Sequence, residues 1–276
     1  MRVLVTGATG TVGRTVIRGL TGAGAEVRAV SRRGAGDLAV ADVVPEWEAG
    51  VDGVDAIFVH PRAVGLDAGR LVARAEAAGV RRLVVMSAVN VDTPDHLQPS
   101  RVRGDRNREV EAAVVASALP STVLRCDVFA SNTFGTVGAQ LRRSDVVRGA
   151  FPRVAERLID ERDIGDVAVA ALLDPRWAGR RLELTGPEAL TLPRVVDVVG
   201  AVTGRHLSFE EVPRAVAAAA LVAAGLPKDF ADSYFAMLAE QGDRYSTPSG
   251  DVAAVLGHPA RDYAGWVADH REVFAA

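Results

Sequence analysis

The alternation of apolar and polar positions is clearest between residues 2 and 20. Residues 3–5 form an apolar run without polar alternation, which is typical of a strand buried on both faces of a parallel sheet. From Val12 to Leu20 the apolar side chains recur at helical spacing instead. The pattern predicts a strand, a glycine-containing turn and a helix in direct succession.

The same two patterns continue along the chain and predict an α/β protein. Short apolar runs predict further strands at residues 26–31, 38–43, 54–59, 82–86, 121–125, 180–185 and 206–212. Helical spacing predicts helices at residues 71–80, 106–118, 163–173 with Asp163 as its cap, 193–202, 214–224, 229–239 and 262–274. The polar residues 92–105 predict a loop over the site, and residues 131–148 predict a helix with a lid-like connection.

Three glycines separate the first strand from the first helix. We expect Gly7 to allow the tight turn, Gly10 to let the backbone approach a pyrophosphate, and Gly13 to let the helix pack closely. The free N–H groups at the start of the helix then face the phosphates. The spacing GxxGxxG differs from the commoner GxGxxG, and an ordinary strand-to-helix turn is the alternative. The context of strand and helix favours dinucleotide binding.

The residues after the second predicted strand indicate which dinucleotide is bound. Chains that prefer NAD usually carry an acidic residue there, which bonds the ribose 2′-hydroxyl. This chain has Ser31, Arg32 and Arg33 instead. A guanidinium pairs with a 2′-phosphate, so the sequence favours NADP(H), unless both arginines are merely solvated.

Polar residues at the ends of three later strands are candidates for the same site. Asp42 is expected beside the adenine, His60 near the cofactor and Ser87 with its hydroxyl in the cleft of the nicotinamide. The alternatives are a histidine that only packs and a serine that caps or turns the chain.

Composition limits the remaining classes of function. The 276 residues are 49% hydrophobic and 24% charged with a net charge of −3, which is typical of a globular protein and gives no reason to expect a nucleic-acid partner. The single cysteine, Cys126, excludes an intramolecular disulfide and a cysteine-based zinc site, and no metal is predicted. No export signal is recognised, and the apolar residues 215–226 are too few to span a bilayer. We therefore expect a cytoplasmic protein without a membrane partner.

Several motifs together resemble one family. The chain is similar to atypical short-chain dehydrogenases/reductases of the NmrA-like, NAD(P)H-binding group. The likeness covers nearly the whole chain, and its motifs lie at residues 5–13, 27–33, 83–88, 110–120, 122–125, 160–168 and 184–191.

The resemblance implies a Rossmann-type doubly wound parallel sheet of order 3-2-1-4-5-6-7 with a smaller, mostly helical C-terminal substrate lobe. The Rossmann domain would comprise residues 1–130, completed by 162–187, and the lobe residues 188–276 with 131–161. The resemblance also implies the contacts with NADP(H). The pyrophosphate would be bound by Gly7, Thr9, Gly10, Thr11 and Val12 with Gly13, and the 2′-phosphate by Ser31, Arg32 and Arg33. Adenine would lie near Asp42 and Val43, and the ribose and nicotinamide would lie near His60, Pro61, Ser87, Ala88, Cys126, Asp127, Val128 and Phe129.

The chain departs from active short-chain reductases at the proton donor. Those enzymes use Tyr-x-x-x-Lys, in which the lysine makes the tyrosine more acidic. The single lysine here is Lys228, and Ala224 stands four residues before it. Alignment with the family places Asn107 at the lysine position and Arg103 at the tyrosine position.

Three hypotheses about function remain open. The first is an NADPH-dependent reductase of a quinone, enone or polycyclic aromatic small molecule, with Ser87, Asn107, His60 and Asp127 as candidate catalytic residues, because such acceptors can take their proton from a weak donor. The second is a non-catalytic NADP(H) sensor that binds a partner according to redox state. The third is a natural-product tailoring enzyme that catalyses dehydration, isomerisation or coupling on the same fold.

Overall fold

The computed structural model describes residues 1–34, 36–38, 40, 42–242 and 246–275. The strands are β1 (Arg2–Val5), β2 (Glu26–Val30), β3 (Asp42–Val44), β4 (Ala56–Val59), β5 (Arg82–Ala88), β6 (Ser121–Cys126), β7 (Val146–Gly149), β8 (Ala155–Glu156), β9 (Arg181–Leu184), β10 (Leu190–Thr191) and β11 (Ser208–Glu211). Within the described residues, seven of them form one parallel sheet in the order β3-β2-β1-β4-β5-β6-β9. The predicted order is confirmed, with β9 as the seventh strand.

The helices follow the strands in the alternation that the sequence predicts. They are α1 (Thr11–Gly22), α2 (Pro61–Val64), α3 (Ala68–Ala77), α4 (Pro99–Val102), α5 (Asn107–Val115), α6 (Ala139–Leu141), α7 (Glu161–Leu173), α8 (Leu192–Thr203), α9 (Arg214–Ala223), α10 (Lys228–Gln241), α11 (Asp251–Leu256), α12 (Tyr263–Asp269) and α13 (Arg271–Phe274). Single-turn 3₁₀ helices and one π-helix, Phe134–Gly138, lie between them.

Helices cover both faces of the main sheet. Successive residues of β1 point to opposite faces, so Val3 and Val5 pack in the core with α1 and α7, whereas Leu4 packs in the core with α3 and α5. All four residues of β4 are buried. Because both faces are covered, the strands carry continuous apolar runs, and the predicted doubly wound class is confirmed.

The chain beyond the main sheet builds two smaller hydrophobic clusters. One surrounds Tyr263, Trp266 and Phe274, and the other joins α9 and α10 to the residues after β7. Two short sheets brace this region: β8 pairs with β10 in antiparallel fashion, and β7 pairs with β11 in parallel.

The local predictions were wrong where tertiary contacts decide the structure. In residues 131–148, predicted as a helix with a lid-like connection, the helical part consists of the π-helix and α6 and ends at Leu141, and the strand β7 begins at Val146 within the predicted connection. The N-cap of α7 is Asp160, which accepts a hydrogen bond from the N–H of Arg162 at 2.8 Å. Asp163 is fully buried inside α7 and accepts the backbone N–H of Arg261 at 2.8 Å. These partners are distant in sequence, so local spacing does not reveal them.

The predicted third strand is also displaced. Residues 39 and 41 of the predicted span lie outside the described residues, and β3 runs from Asp42 to Val44. Its pairing with β2 fixes these bounds, because Asp42 is opposite Arg28 and Val44 is opposite Val30. Among the helices of the described residues, none has the length and apolar character that a membrane crossing requires.

Candidate cofactor site

The turn between β1 and α1 is tightly packed at two of its three glycines. Gly7 has a φ of +66°, and a Cβ there would stand 2.8 Å from the Cβ of His60. A Cβ on Gly13 would stand 2.2 Å from the carbonyl oxygen of Gly7. The close approach expected at Gly13 is therefore present, and its partner is the turn itself. Gly10 donates its N–H to Gly7 O at 3.0 Å.

The amino end of α1 is left open. Gly10 is its N-cap in an extended conformation, and no side chain of the described residues caps the helix. Thr9, Gly10 and Thr11 are exposed. A Cβ on Gly10 would meet only Gly7 O within 4 Å. Free N–H groups and the positive end of the helix dipole thus face open space, which suits an anion such as a pyrophosphate.

The segment after β2 presents free cationic groups next to this turn. Ser31 is buried, and its hydroxyl accepts the N–H of Arg33 at 3.3 Å. Arg32 and Arg33 are exposed, and neither guanidinium makes a hydrogen bond or ion pair with any residue that the structure describes. Both are available to a phosphate group.

Arg14 is a further cation here that the sequence analysis missed. Its Nε donates to Thr9 O at 3.0 Å, and its Nη1 forms an ion pair with Asp37 at 2.7 Å. The side chain thus links the glycine turn to the segment after β2. Its position in the first turn of α1 was the signal that could have indicated this contact.

The carboxylate of Asp42 is hydrogen-bonded to a side chain of the neighbouring strand β2. Its carboxylate accepts a hydrogen bond from Arg28 Nε at 2.8 Å. It is the first residue of β3 and therefore lies before the carboxyl end of that strand. The contact of Asp42 and Val43 with adenine stays a prediction.

His60 caps a helix and is neutral. It follows β4, and its Nδ1 accepts the N–H of Arg62 at the start of α2, where Pro61 occupies the first position. The pKa of His60 is lowered to about 4, mainly because the ring is buried; the charge of Asp105 opposes this shift, and the charge of Arg62 contributes to it. At neutral pH the ring is therefore a neutral imidazole and not the imidazolium form that acts as an acid.

Ser87 at the end of β5 is tied into a buried polar network. Its hydroxyl donates to Glu111 of α5 at 2.6 Å. Glu111 also accepts from Arg125 at 2.7 Å and from Arg181 at 3.3 Å. The sequence analysis missed Glu111 because a glutamate next to Val110 on a helix gives no signal of burial. The hydroxyl of Ser87 is bonded to this network, and a role of Ser87 at the nicotinamide stays a prediction.

The other polar candidates also have internal partners. Asn107 is buried at the start of α5 and donates to Ser100 Oγ at 3.3 Å. Asp127 is buried after β6, where it accepts from Arg157 Nε at 2.6 Å and from the N–H of Val128 at 2.8 Å. Burial raises the pKa of Asp127, and the guanidinium of Arg157 opposes that rise. The catalytic assignment of these residues stays a prediction.

The other residues predicted at the end of β6 also have contacts within the protein, and their contact with ribose or nicotinamide stays a prediction. Cys126 is buried and its thiol donates to Leu124 O at 3.5 Å; burial raises the pKa of this thiol far above its ordinary value. Phe129 forms an isolated parallel bridge with Ile159. Val128 packs in the cluster around Trp266.

The topology brings the predicted contacts to one edge of the sheet. They all stand at carboxyl ends of adjacent parallel strands: the turn after β1, the segment 31–33 after β2, His60 and Pro61 after β4, Ala88 at the end of β5 and residues 126–129 around the end of β6. Open α/β sheets bind ligands at this edge. In the described part of the chain, no three His, Cys, Asp or Glu side chains come together in a way that could hold a metal ion.

Comparison with known proteins gives the site a context. The model of the NmrA-like family matches residues 35–253. The chain is 37% identical over 286 residues to the (4-alkanoyl-5-oxo-2,5-dihydrofuran-3-yl)methyl phosphate reductase of Streptomyces griseus subsp. griseus, with 99% of each chain covered. It is 29% identical over 293 residues to the NAD(P)H azoreductase of Xenophilus azovorans, again with 99% of each covered.

Solved structures show the same fold. The NADPH-dependent quinone oxidoreductase of Escherichia coli complexed with NADPH superposes with a TM-score of 0.82 at 24% identity, over 98% of this chain and 100% of that one. The Citrobacter sp. triphenylmethane reductase complexed with NADP(H) superposes with a TM-score of 0.77 at 17% identity, over 99% of each.

Proposed function

Because this chain belongs to the NmrA-like family, we propose that it is an NADPH-dependent reductase of small molecules that carry a conjugated, electron-poor double bond, such as an enone, a quinone or a polycyclic aromatic compound. The observation that carries the proposal is the bare amino end of α1, which opens at the edge where β4, β5 and β6 also end. A 37% identical relative that is itself a reductase supports it.

The residues of the edge divide into two phosphate-binding parts. The N–H groups of Thr11, Val12 and Gly13 at the start of α1 would bind the pyrophosphate, since no side chain of the described residues occupies that position. The free guanidinium of Arg32, with Arg33 beside it, would bind the 2′-phosphate. A cofactor with that phosphate is therefore preferred over NADH.

The other end of the site would hold the nicotinamide and the acceptor. Bound NADPH supplies a hydride there, which is two electrons and one hydrogen. His60 offers an unprotonated ring, and Cys126 offers a buried, protonated thiol. Neither of these two groups carries a charge at neutral pH. The region of residues 188–276 with 131–161 would cover the acceptor as a substrate lobe.

The chemistry of the relatives narrows the acceptor. The substrate of the Streptomyces griseus relative is an oxo-dihydrofuran with an alkanoyl group, so its ring double bond is conjugated with carbonyl groups. Hydride addition to such a bond places negative charge on a carbonyl oxygen, which needs only a weak acid to be neutralised. This chain lacks Tyr-x-x-x-Lys, so an acceptor of this kind suits it better than a simple ketone.

The experiment that tests the function measures NADPH consumption. The purified protein is assayed with unsaturated lactones, enones and quinones, and NADPH binding is measured separately by calorimetry. We expect both binding and turnover, with the conjugated double bond reduced. Binding without turnover of any acceptor contradicts the reductase and supports the redox sensor, and products of dehydration or coupling support the tailoring enzyme.

The cofactor preference gives the first specific prediction. Arg32→Ala is expected to weaken the binding of NADPH by about 10- to 150-fold, because a charge-assisted hydrogen bond contributes about 1.5–3 kcal/mol. The affinity for NADH, which lacks the 2′-phosphate, should be unchanged. Calorimetric titration with both cofactors measures the ratio. Arg142→Ala, at another exposed arginine, is the control and should keep the wild-type ratio. An unchanged ratio in Arg32→Ala shows that this arginine is only solvated.

A further inference from the structure

A glutamate outside the predicted site stands where the substrate lobe meets the edge of the sheet. Glu156 is the second residue of β8. The residue after it, Arg157, is bonded to Asp127 at the end of β6. The residue before it, Ala155, accepts a hydrogen bond from Gln241 of α10 at 3.0 Å. Glu156 is therefore held between the carboxyl end of β6 and α10.

The carboxyl group of Glu156 is incompletely bonded. Its Oε1 atom is shielded from solvent and has no hydrogen-bond partner among the residues that the structure describes. Leaving a buried polar atom unsatisfied costs about 1–3 kcal/mol, so such atoms are rare unless they serve a ligand or a reaction. Among the described residues, this oxygen therefore keeps its capacity for a hydrogen bond, which an acceptor molecule that reaches it would use.

The segment that leads to Glu156 is strained. Phe151 has a φ of +57°, the single positive value at a non-glycine position among the described residues. Large side chains rarely adopt this conformation, and such strain concentrates at functional sites. The ring of Phe151 packs against Phe235 of α10 at 6.3 Å between centroids, next to Tyr234. Packing thus fixes the path of the chain between β7 and β8.

Among the described residues, Glu156 lies near the charge of Asp127 and near Tyr234, and the next residue, Arg157, joins this group to Asp127 and Glu183. Asp127 and Glu183 both bind Arg157, at 2.6 Å each. Burial and the charge of Asp127 raise the pKa of Glu156 to about 7. Burial and the charge of Glu156 raise the pKa of Tyr234 well above its ordinary value. A phenol of that kind does not release its proton near neutral pH, whereas the Glu156 carboxyl both holds and releases one.

Given the reductase function proposed above, we propose that Glu156 is the general acid that protonates the reduced acceptor. The acceptor gains a hydride at its electrophilic carbon, and the electron pair of its double bond moves toward the carbonyl oxygen. The O–H bond of Glu156 then breaks as the proton passes to the acceptor, and Glu156 is left as a carboxylate. Solvent returns the proton before the next turnover.

Kinetics of substituted proteins test this role. Glu156→Gln keeps the size of the side chain but has no acidic proton, and it should lower kcat/KM by about 100-fold, the lower part of the range for general acid catalysis. The wild type should lose activity as pH rises through about 7, the pKa of Glu156. Glu156→Gln should lack this decline, and Glu156→Asp should retain it with partial activity. NADPH affinity should be the same in all three.

A spectroscopic measurement tests the protonated carboxyl without turnover. The infrared band of a protonated carboxyl group that disappears as pH rises through about 7 should be present in the wild type and missing in Glu156→Gln. Glu210→Gln, at an exposed glutamate of β11 that pairs with Arg148, is the matched control and should keep both the band and the pH profile. If the band is also present in Glu156→Gln, the assignment is overturned.

The two proposals fail in different ways. If the wild type consumes NADPH and Glu156→Gln does so with the same kcat/KM and pH profile, Glu156 is not the acid, while the reductase function stands. If the wild type binds NADPH and reduces no acceptor, both proposals are overturned.

Discussion

Gly7, Gly10 and Gly13 stand at equal spacing, but the structure makes a different demand on each. Gly7 needs a positive φ and space for His60, and Gly13 needs contact with the backbone of the turn. A Cβ on Gly10 would meet a single atom of the protein within 4 Å, Gly7 O at 3.3 Å, so the protein restricts this position less than Gly13 and the ligand is expected to add the larger demand. Substitutions at the three positions should therefore separate folding from cofactor binding.

At Gly13 we predict a loss of both stability and affinity. In Gly13→Ala the new Cβ would stand 2.2 Å from a backbone oxygen, so the start of α1 must shift, at a cost of about 1–3 kcal/mol. Chemical denaturation and NADPH titration measure the two effects. Gly22→Ala in the same helix is the control, because its Cβ would meet no atom within 4 Å. Equal stability of the two variants contradicts the packing argument.

At Gly10 we predict a loss of binding that exceeds the loss of stability. Gly10→Val places a branched side chain at the expected pyrophosphate position, while within the protein the new Cβ would make one close contact, with Gly7 O at 3.3 Å. The variant should bind no NADPH in calorimetry, and its free energy of unfolding should fall by less than that of Gly13→Ala. Wild-type affinity in this variant is incompatible with the assignment of the phosphate site.

At the scale of elements, α5 is joined to the main sheet by charged and hydrogen-bonded groups as well as by apolar packing. Ser87, Arg125 and Arg181 all contact the carboxylate of Glu111, which is only 5% exposed. A buried carboxylate is stable only with such partners, and removing one side of a buried pair leaves the other without compensation. This network fixes the end of β5 against the helix behind it.

We predict that Glu111→Gln lowers the free energy of unfolding by about 3 kcal/mol, since it leaves the guanidinium of Arg125 with a weaker partner. Urea denaturation measures the change. Glu109→Gln on the same helix removes a pair with Arg101 that lies nearer the surface, and it should cost less than about 1 kcal/mol. A similar loss in both variants indicates that burial is not the cause.

At the scale of the whole molecule, α10 links the loop after β5 to the short strand β8. Met237 of α10 contacts the side chain of Asn90, which follows β5, and Gln241 holds β8. The same helix brings Tyr234 close to Glu156. The titration of a group enclosed between these parts affects the stability of the whole fold.

The pH dependence of stability follows from the raised pKa of Glu156. The folded protein holds this proton up to about pH 7, whereas the unfolded chain releases it near the ordinary value of 4.5. The contribution of Glu156 to stability is therefore complete below the ordinary value and is lost as pH rises to about 7. We predict that Glu156→Gln, compared with the wild type, becomes progressively more stable over this range in thermal unfolding. A difference that does not change with pH contradicts the raised pKa.

Much of the site could be predicted from the sequence because it depends on local order. The strand, the glycine turn and the helix at residues 2–22 follow from apolar spacing and from the missing Cβ atoms. The strands of the main sheet were recognised for the same reason, since burial on both faces leaves a continuous apolar run. The predicted bounds of the third strand differ from those of β3 because the apolar run there is weak and the bounds come from pairing with β2.

The sequence by itself determined the α/β class, the order of the sheet through the family resemblance, and the position of the glycine turn between β1 and α1. Only the tertiary structure decided the partners of polar side chains: Ser87 with Glu111, Asp127 with Arg157, and Glu156 near Asp127 and Tyr234. Backbone conformation and apolar spacing are properties of neighbouring residues. The charge state of a carboxyl group depends on burial and on groups that are distant in the chain, and these come together only when the chain folds.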